Sequence, residues 1–311
     1  MRPPTTTIAS AGPVAPPEAD RGGSHRLEQV GLSLLMDLTA GSSEVVVGLI
    51  DGPVAVDHPD FAKQSIRTLP GRPAACTVHD ASCVHGTFVA GILAARRGTA
   101  VPAICPGCTI LLRPIFGGSR LGSHDMPSTT SQELAAAILE CIGGGAQILN
   151  ISAALTEARV QELGELPQAL DLAARRGVLV VVAAGNQGVI TSSTLTRHPW
   201  VIPVVAYSRS GRPMEGATLG GLIGRRGLGA PGEDVTSLAP GGGRLQLGGS
   251  SAAAPFVSGA AALIWSQFPG VSGAQVRLVL ETSAGKRRRS VVPPPLDAWS
   301  AYRTIGKTRG T

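Results

Sequence analysis

The chain predicts an α/β fold in which a central, mostly parallel sheet carries helices on both faces. Two observations support it. Short runs rich in Val, Ile and Leu recur at residues 44–51, 108–116, 146–152, 177–186 and 200–207, and near-continuous apolar character is what parallel strands buried on both faces show. Between most of them stand stretches of helical spacing, at 85–98, 131–145 and 159–177, and strands alternating with helices imply right-handed crossovers within one sheet. Functional groups in such sheets collect at the carboxyl ends of the strands, so the residue closing each run matters most.

Residues 1–24, rich in Pro, Thr and Ala, are expected to form a disordered tail. HRLEQVGLSLLMDLT (25–39) has helical spacing and opens a domain expected to span 25–305, with 306–311 as a flexible end. EVVVGLID closes on Asp51 after five apolar residues in seven. A carboxylate there is costly without partners, although a turn aspartate before Gly52-Pro53 would explain it too. Asp57 and Asp60 read as turn residues. HGTFVAGILAA puts His85 at a helix start, where Gly86 and Gly91 would allow close packing against a strand and bring His85 to Asp51. An aspartate that accepts from one imidazole nitrogen leaves the other free to take a proton from a hydroxyl; a structural histidine is the plain alternative. GVLVVVAAGN runs into Asn186, either a turn residue or a neutral donor suited to a developing alkoxide. LGGSSAAAPFVSGAAALIW (247–265) is a charge-free helix, shorter than the ~20 residues of a bilayer span. Ser250 would be its N-cap, Pro255 would lie in its first turn, and Ser250 or Ser251 would be offered at its N-terminus.

The totals fit such a domain. A chain of 311 residues can bury a large core. With 43% hydrophobic and 15% charged residues it is neither disordered nor a coiled coil. The net charge of +6 is scattered over Arg-Arg-Gly runs at 96–98, 175–177 and 225–227, with Gly98 and Gly177 read as helix C-terminal caps. Lys286-Arg287-Arg288-Arg289 is a true cluster, read as a solvated loop, and 3% aromatic residues leave little to stack on bases. No nucleic-acid or membrane partner is expected. The N-terminal stretch lacks the apolar core of a secretory signal, so a cytoplasmic location is expected, with the five cysteines mostly reduced. Cys105-Pro-Gly-Cys108 has metal-like spacing, and Cys76 and Cys83 could complete a zinc site, but ordinary thiols are the expectation.

Taken in order, Asp51, His85, Asn186 and Ser251 resemble the subtilisin-like serine peptidases, whose triad runs Asp, His, Ser. Gly249-Ser250-Ser251-Ala252-Ala253-Ala254-Pro255 is similar to that family's Gly-Thr-Ser-Met-Ala-x-Pro. The match makes Ser251 the nucleophile and sets Ser250 where the family has threonine. The resemblance spans roughly residues 40–305. It implies a three-layer fold, a peptide or protein substrate and an oxyanion site built on Asn186; no cofactor is expected, and a calcium site is left open. Ile50-Asp51-Gly52-Pro53-Val54, preceded by the 25–39 helix, is similar to the cyanobactin-maturation branch, whose members trim ribosomal precursor peptides.

The chain departs from the family at several positions. Gly52 stands where Ser or Thr is usual, removing a hydroxyl that could support Asp51. Phe88 replaces the second histidine of HGTHVAG. Ser152, Ala153 and Ala154 stand where the substrate-binding run has Ser-Leu-Gly, and Leu155 where it has a second glycine. Methyl groups therefore line the edge where substrate would pair. Only 43 residues precede the first strand, too few for the folded propeptide and signal of secreted relatives. A peptide macrocyclase and a peptide-binding pseudoenzyme are the rival readings. The 34 positions from Asp51 to His85 leave little room for the helical lid of cyclising relatives, and a binding module has no need of an oxyanion amide.

Overall fold

The computed structural model describes residues 21–70, 76–116, 128–152, 154–155, 164–283 and 290–309. The chain begins with α1 (Arg21–Gln29), α2 (Leu32–Leu38), β1 (Val46–Asp51), a 3-10 turn (Pro59–Phe61), β2 (Ser65–Thr68) and α3 (Ala81–Ala94). There follow β3 (Thr109–Pro114), β4 (Ser128–Thr129), α4 (Ser131–Gly143), β5 (Ile148–Ile151), β6 (Ala154–Leu155), α5 (Glu165–Arg176), β7 (Leu179–Ala183), α6 (Thr194–Arg197) and β8 (Val201–Tyr207). The last third holds α7 (Gly221–Arg226), β9 (Leu228–Pro231), β10 (Val235–Leu238), β11 (Arg244–Leu247), α8 (Ser250–Gln267), α9 (Gly273–Ser283) and α10 (Ala298–Arg309).

The central sheet has seven strands in the order β2-β3-β1-β5-β7-β8-β9, all parallel. All five runs read as strands from the sequence lie in it. The edge strands β2 and β9 do not announce themselves: Ser65–Thr68 is largely exposed and lacks an apolar run, and Leu228–Pro231 is four residues with a glycine and a proline. Strand parity decides what each side of the sheet receives. Val47 and Leu49 of β1 join the core that includes α3 and α8, while Ile50 joins the core under α4 and α5. Asp51, in step with Val47 and Leu49, therefore faces the side of α3 and α8.

Several boundaries differ from the sequence reading. The 25–39 stretch is two helices, α1 beginning at Arg21, ahead of the expected His25, and breaking before α2 at Gly31, whose φ of 66° is left-handed. The preceding tail lies outside the described residues. At the other end, α10 continues through the expected flexible end to Arg309, because it packs on α2, α8 and α9, with Ala301 and Ile305 buried. The helix of His85 starts four residues earlier, at Ala81, because Asp80 is its N-cap and accepts from Ser82 N at 2.8 Å. It also ends early, at Ala94, so Gly98 caps nothing; Gly177, with φ 68°, does cap α5. Arg97, freed from the helix, donates to the carbonyls of Met36, Thr39, Ala103 and Ile104.

Three of the five cysteines are free thiols, as expected, and one pair departs from the expectation. Cys76 and Cys83 form a disulfide that ties the segment before α3 to its first turn. Cys105, Cys108 and Cys141 are free and buried. A hydrogen bond with Cys108, reinforced by burial, holds the Cys105 thiol well above its ordinary pKa and lowers that of Cys108. Burial pushes Cys141 up to about 12. The disulfide takes Cys76 and Cys83 out of the four-cysteine set, and among the described residues no group of three His, Cys, Asp or Glu side chains could hold a metal ion. No described helix is long and apolar enough to cross a membrane. The Lys286–Arg289 run lies outside the described residues.

Candidate active site

Three adjacent elements build the site. β1 ends on Asp51, α3 lies across that strand end, and α8 runs through the interior against β1, β5, β7, β8, β9 and α3. α3 approaches closely because position 86 is glycine: a Cβ there would collide with the carbonyls of Gly52 and Pro53. Gly91 makes a separate close approach, to Ser237 and Leu238 of β10. His85, one turn into α3 rather than at its start, reaches Asp51 through Nδ1, 2.6 Å from Oδ1. The same Oδ1 accepts from Gly52 N at 2.6 Å, and Asp51 is fully buried. The His85 side chain keeps 26% exposure, so the ring bridges the interior and the surface.

Burial, the largest influence on the His85 imidazole, lowers its pKa, but the Asp51 charge and hydrogen bond together outweigh it and hold the group above its ordinary value. With Nδ1 bound to a carboxylate, neutral His85 carries its proton on Nδ1 and leaves Nε2 as a base.

The N-terminus of α8 brings in the other candidates. Its cap is Gly249, with φ 106°, rather than Ser250. A Cβ at 249 would lie 2.6 Å from Asn186 Nδ2, so glycine is required for Asn186 to sit against the helix end. Ser250 N donates to Asn186 Oδ1 at 2.9 Å, which fixes the amide with its NH2 turned away from that donor. Ser250 Oγ accepts from Gly185 N at 3.1 Å, pinning the end of β7 to α8. Ser250 is thus a buried structural link. Ser251 follows it, and from Gly249 to Trp265 it is the one residue not buried. Among the described residues its N–H has no acceptor and its hydroxyl makes no hydrogen bond, including to His85. Pro255 is the sixth helical residue, not in the first turn; lacking an N–H, it leaves the Ser251 carbonyl without the usual i+4 donor.

Of the residues read as lining the substrate edge, Ser152 is buried after β5 and its Oγ accepts from Asn150 Nδ2 at 3.0 Å. Ala153 lies outside the described residues. Ala154 begins β6, which pairs in parallel with β4. Asn150 and Ser258 went unread in the sequence. Ser258 Oγ donates to Asn150 Oδ1 at 2.6 Å, so a buried chain of side chains joins α8 through Asn150 to Ser152. A signal existed: each is a polar residue inside an apolar run, and buried polar groups demand partners.

Comparisons with known proteins agree with this geometry. A family model described as the subtilase family (Peptidase S8) matches residues 42–297. The thermophilic serine proteinase of Bacillus sp. (strain AK1) is 31% identical over 254 residues, covering 80% of this chain and 59% of that protein. Subtilisin Savinase of Lederbergia lenta is 31% identical over 245 residues, covering 78% and 84%. Among solved structures, a mutant of the protease domain of PatA aligns with a TM-score of 0.76 at 32% identity over 86% of this chain and 97% of that one. The prenylagaramide maturation protease PagA aligns with a TM-score of 0.76 at 28% identity over 88% and 98%. The PatG macrocyclase domain, 20% identical over 93% of this chain and 98% of its own, has a TM-score of 0.76 and shares the fold. With the matched region spanning the whole central sheet and all four candidate residues, the chain belongs to the subtilase family.

Proposed function

We propose that the chain is a serine endopeptidase that hydrolyses peptide bonds through an acyl-enzyme and trims a ribosomal precursor peptide. The observation that carries the catalytic reading is that Ser251 alone is not buried in the N-terminal half of α8, a helix that packs on both β1 and α3, the elements that carry Asp51 and His85. Ser251 Oγ attacks the scissile carbonyl and His85 Nε2 takes its proton. Asp51 holds the ring in the working tautomer and stabilises the imidazolium. The oxyanion is received by the unsatisfied Ser251 N–H and by Asn186 Nδ2, with the N-terminal end of an 18-residue helix adding positive potential. His85 then delivers its proton to the leaving amine, and water releases the acyl group.

The likeness to the protease domain of PatA and to the prenylagaramide maturation protease PagA supports a precursor peptide as substrate. Hydrolysis is favoured over cyclisation because, among the described residues between Asp51 and α3, there is only a 3-10 turn and the short strand β2. No helical lid that would keep water from the acyl-enzyme is found there. Labelling with a fluorophosphonate, followed by mass spectrometry of peptides digested by the purified chain, tests the reading. Linear fragments and a labelled Ser251 are expected; head-to-tail rings would establish cyclisation, and absent labelling would leave a binding protein.

Two expectations follow from particular groups. The kcat/KM value should rise with pH as His85 loses its proton, with a midpoint above the ordinary histidine value of about 6.5, because Asp51 raises it. A profile flat from about pH 5 to 8 would remove His85 as the base. The Ala154 methyl, where the family has glycine, should narrow the first specificity pocket, being worth about 1–3 kcal/mol against a large side chain. Small residues before the scissile bond are therefore expected to be preferred. Changing Ala154 to glycine should move kcat/KM toward Phe, Tyr and Leu without altering Ser251 labelling. A wild type that already prefers aromatics would place the pocket wall elsewhere.

A further inference from the structure

Asp51 has a second oxygen, and among the described residues nothing bonds to it. Oδ1 serves both His85 and Gly52 N, while Oδ2 is buried without a hydrogen-bond partner. Close by is a hydroxyl in the same condition: Ser82 is fully buried and its Oγ also has no partner. We propose that Ser82 is a positioning residue for the catalytic carboxylate, its hydroxyl donating to Asp51 Oδ2 directly or through one buried water; this rests on the roles of Asp51 and His85 proposed above.

Three observations place the two groups together. Ser82 and His85 are three residues apart on α3, so they share the helix face from which His85 reaches Asp51. Ser82 also packs directly on the residue after Asp51. A Cβ built at Gly52 would collide with the Ser82 carbonyl oxygen and lie 2.6 Å from its carbonyl carbon and 3.1 Å from its Cα. Finally, the Ser82 backbone is anchored by its own N–H bond to Asp80 Oδ1, which leaves the side chain free to take another staggered χ1 position. A buried anionic oxygen and a buried hydroxyl are each costly when unpaired, and one serine supplies one donor for one acceptor. The crowding that seats Ser82 also excludes a side chain at 52. Support for Oδ2 therefore comes from α3 rather than from the residue following the aspartate.

This role has a signature that a merely structural serine would lack. Removing a donor from the carboxylate concentrates its charge on the His85 bond, so the imidazolium is held more tightly and the His85 pKa rises. The experiment compares Ser82→Ala and Ser82→Thr with wild type. Ser82→Ala is expected to lower kcat roughly tenfold with KM unchanged, and to move the acid limb of kcat/KM upward by about half a pH unit. Ser82→Thr, which keeps the hydroxyl, should restore both. The His85 titration is read independently by NMR in a Ser251→Ala background, with and without Ser82→Ala, so it does not depend on the chain being a peptidase. A His85 pKa unmoved by Ser82→Ala, or a threonine variant that behaves like alanine, would overturn the proposal. A loss of thermal stability alone would leave Ser82 a packing residue. A wild type without hydrolytic activity but with the expected NMR shift would refute the peptidase reading and keep the positioning one.

Discussion

Ser251→Ala is expected to lower kcat on a cleaved peptide by about 10⁶, the scale on which a triad fails when its nucleophile is removed. Fluorophosphonate labelling should vanish with it. The fold should be unaffected, because Ser251 is half-exposed and its hydroxyl makes no hydrogen bond among the described residues. The neighbouring variant behaves oppositely. Ser250→Ala leaves the partly buried Gly185 N–H without its acceptor, a penalty of about 1 kcal/mol in stability, and loosens the β7 end that carries Asn186. Its kcat should fall far less than that of Ser251→Ala. Side-by-side kinetics and thermal melts separate the two; a dead Ser250→Ala beside an active Ser251→Ala would refute the assignment.

Asp51→Asn is the second large effect, with kcat expected to fall by about 10⁴. Because Oδ1 serves both Gly52 N and His85 Nδ1, an asparagine that puts its NH2 in that place would force the His85 proton onto Nε2, where it blocks the base, and one that keeps its carbonyl there would hold the tautomer without the carboxylate that stabilises the imidazolium. The charge is lost as well. Because the Asp51 charge and hydrogen bond raise the His85 pKa, their loss should bring the midpoint of the residual activity down, opposite in sign to the shift expected for Ser82→Ala. Measuring kcat/KM from pH 5 to 9 on both variants checks the pair of signs. An Asp51→Asn midpoint that stays in place would mean that the carboxylate does not govern His85.

The chemistry was legible where a polar residue interrupts an apolar pattern. Asp51 and Asn186 stand at or just beyond the ends of runs that read as buried strands, and both runs are central strands of the sheet. The glycines around His85 foretold a close approach, which Gly86 makes. Asn150 and Ser258 carried the same sort of signal in weaker form. Edge strands were not legible, because a strand paired on one side and open to solvent on the other needs no continuous apolar run. The Cys76–Cys83 disulfide was hidden for another reason: cysteine pairing is set by where the chain places two Cα atoms, here 5.1 Å apart, and not by spacing alone.

By itself, then, the sequence determined the α/β class, the parallel strands, and the identities of the residues proposed to do the chemistry, since periodicity and strand-closing residues are local properties of the chain. Tertiary structure decided what each of those residues touches. It turned Ser250 from a helix cap into the acceptor that pins Gly185, because β7 ends where α8 begins. It gave Asp51 its orphaned Oδ2 and set Ser82 against Gly52, because Gly86 lets α3 settle onto the end of β1. Contacts between residues 30 or 65 positions apart depend on how closely the layers pack, and packing distance is written in no single stretch of sequence.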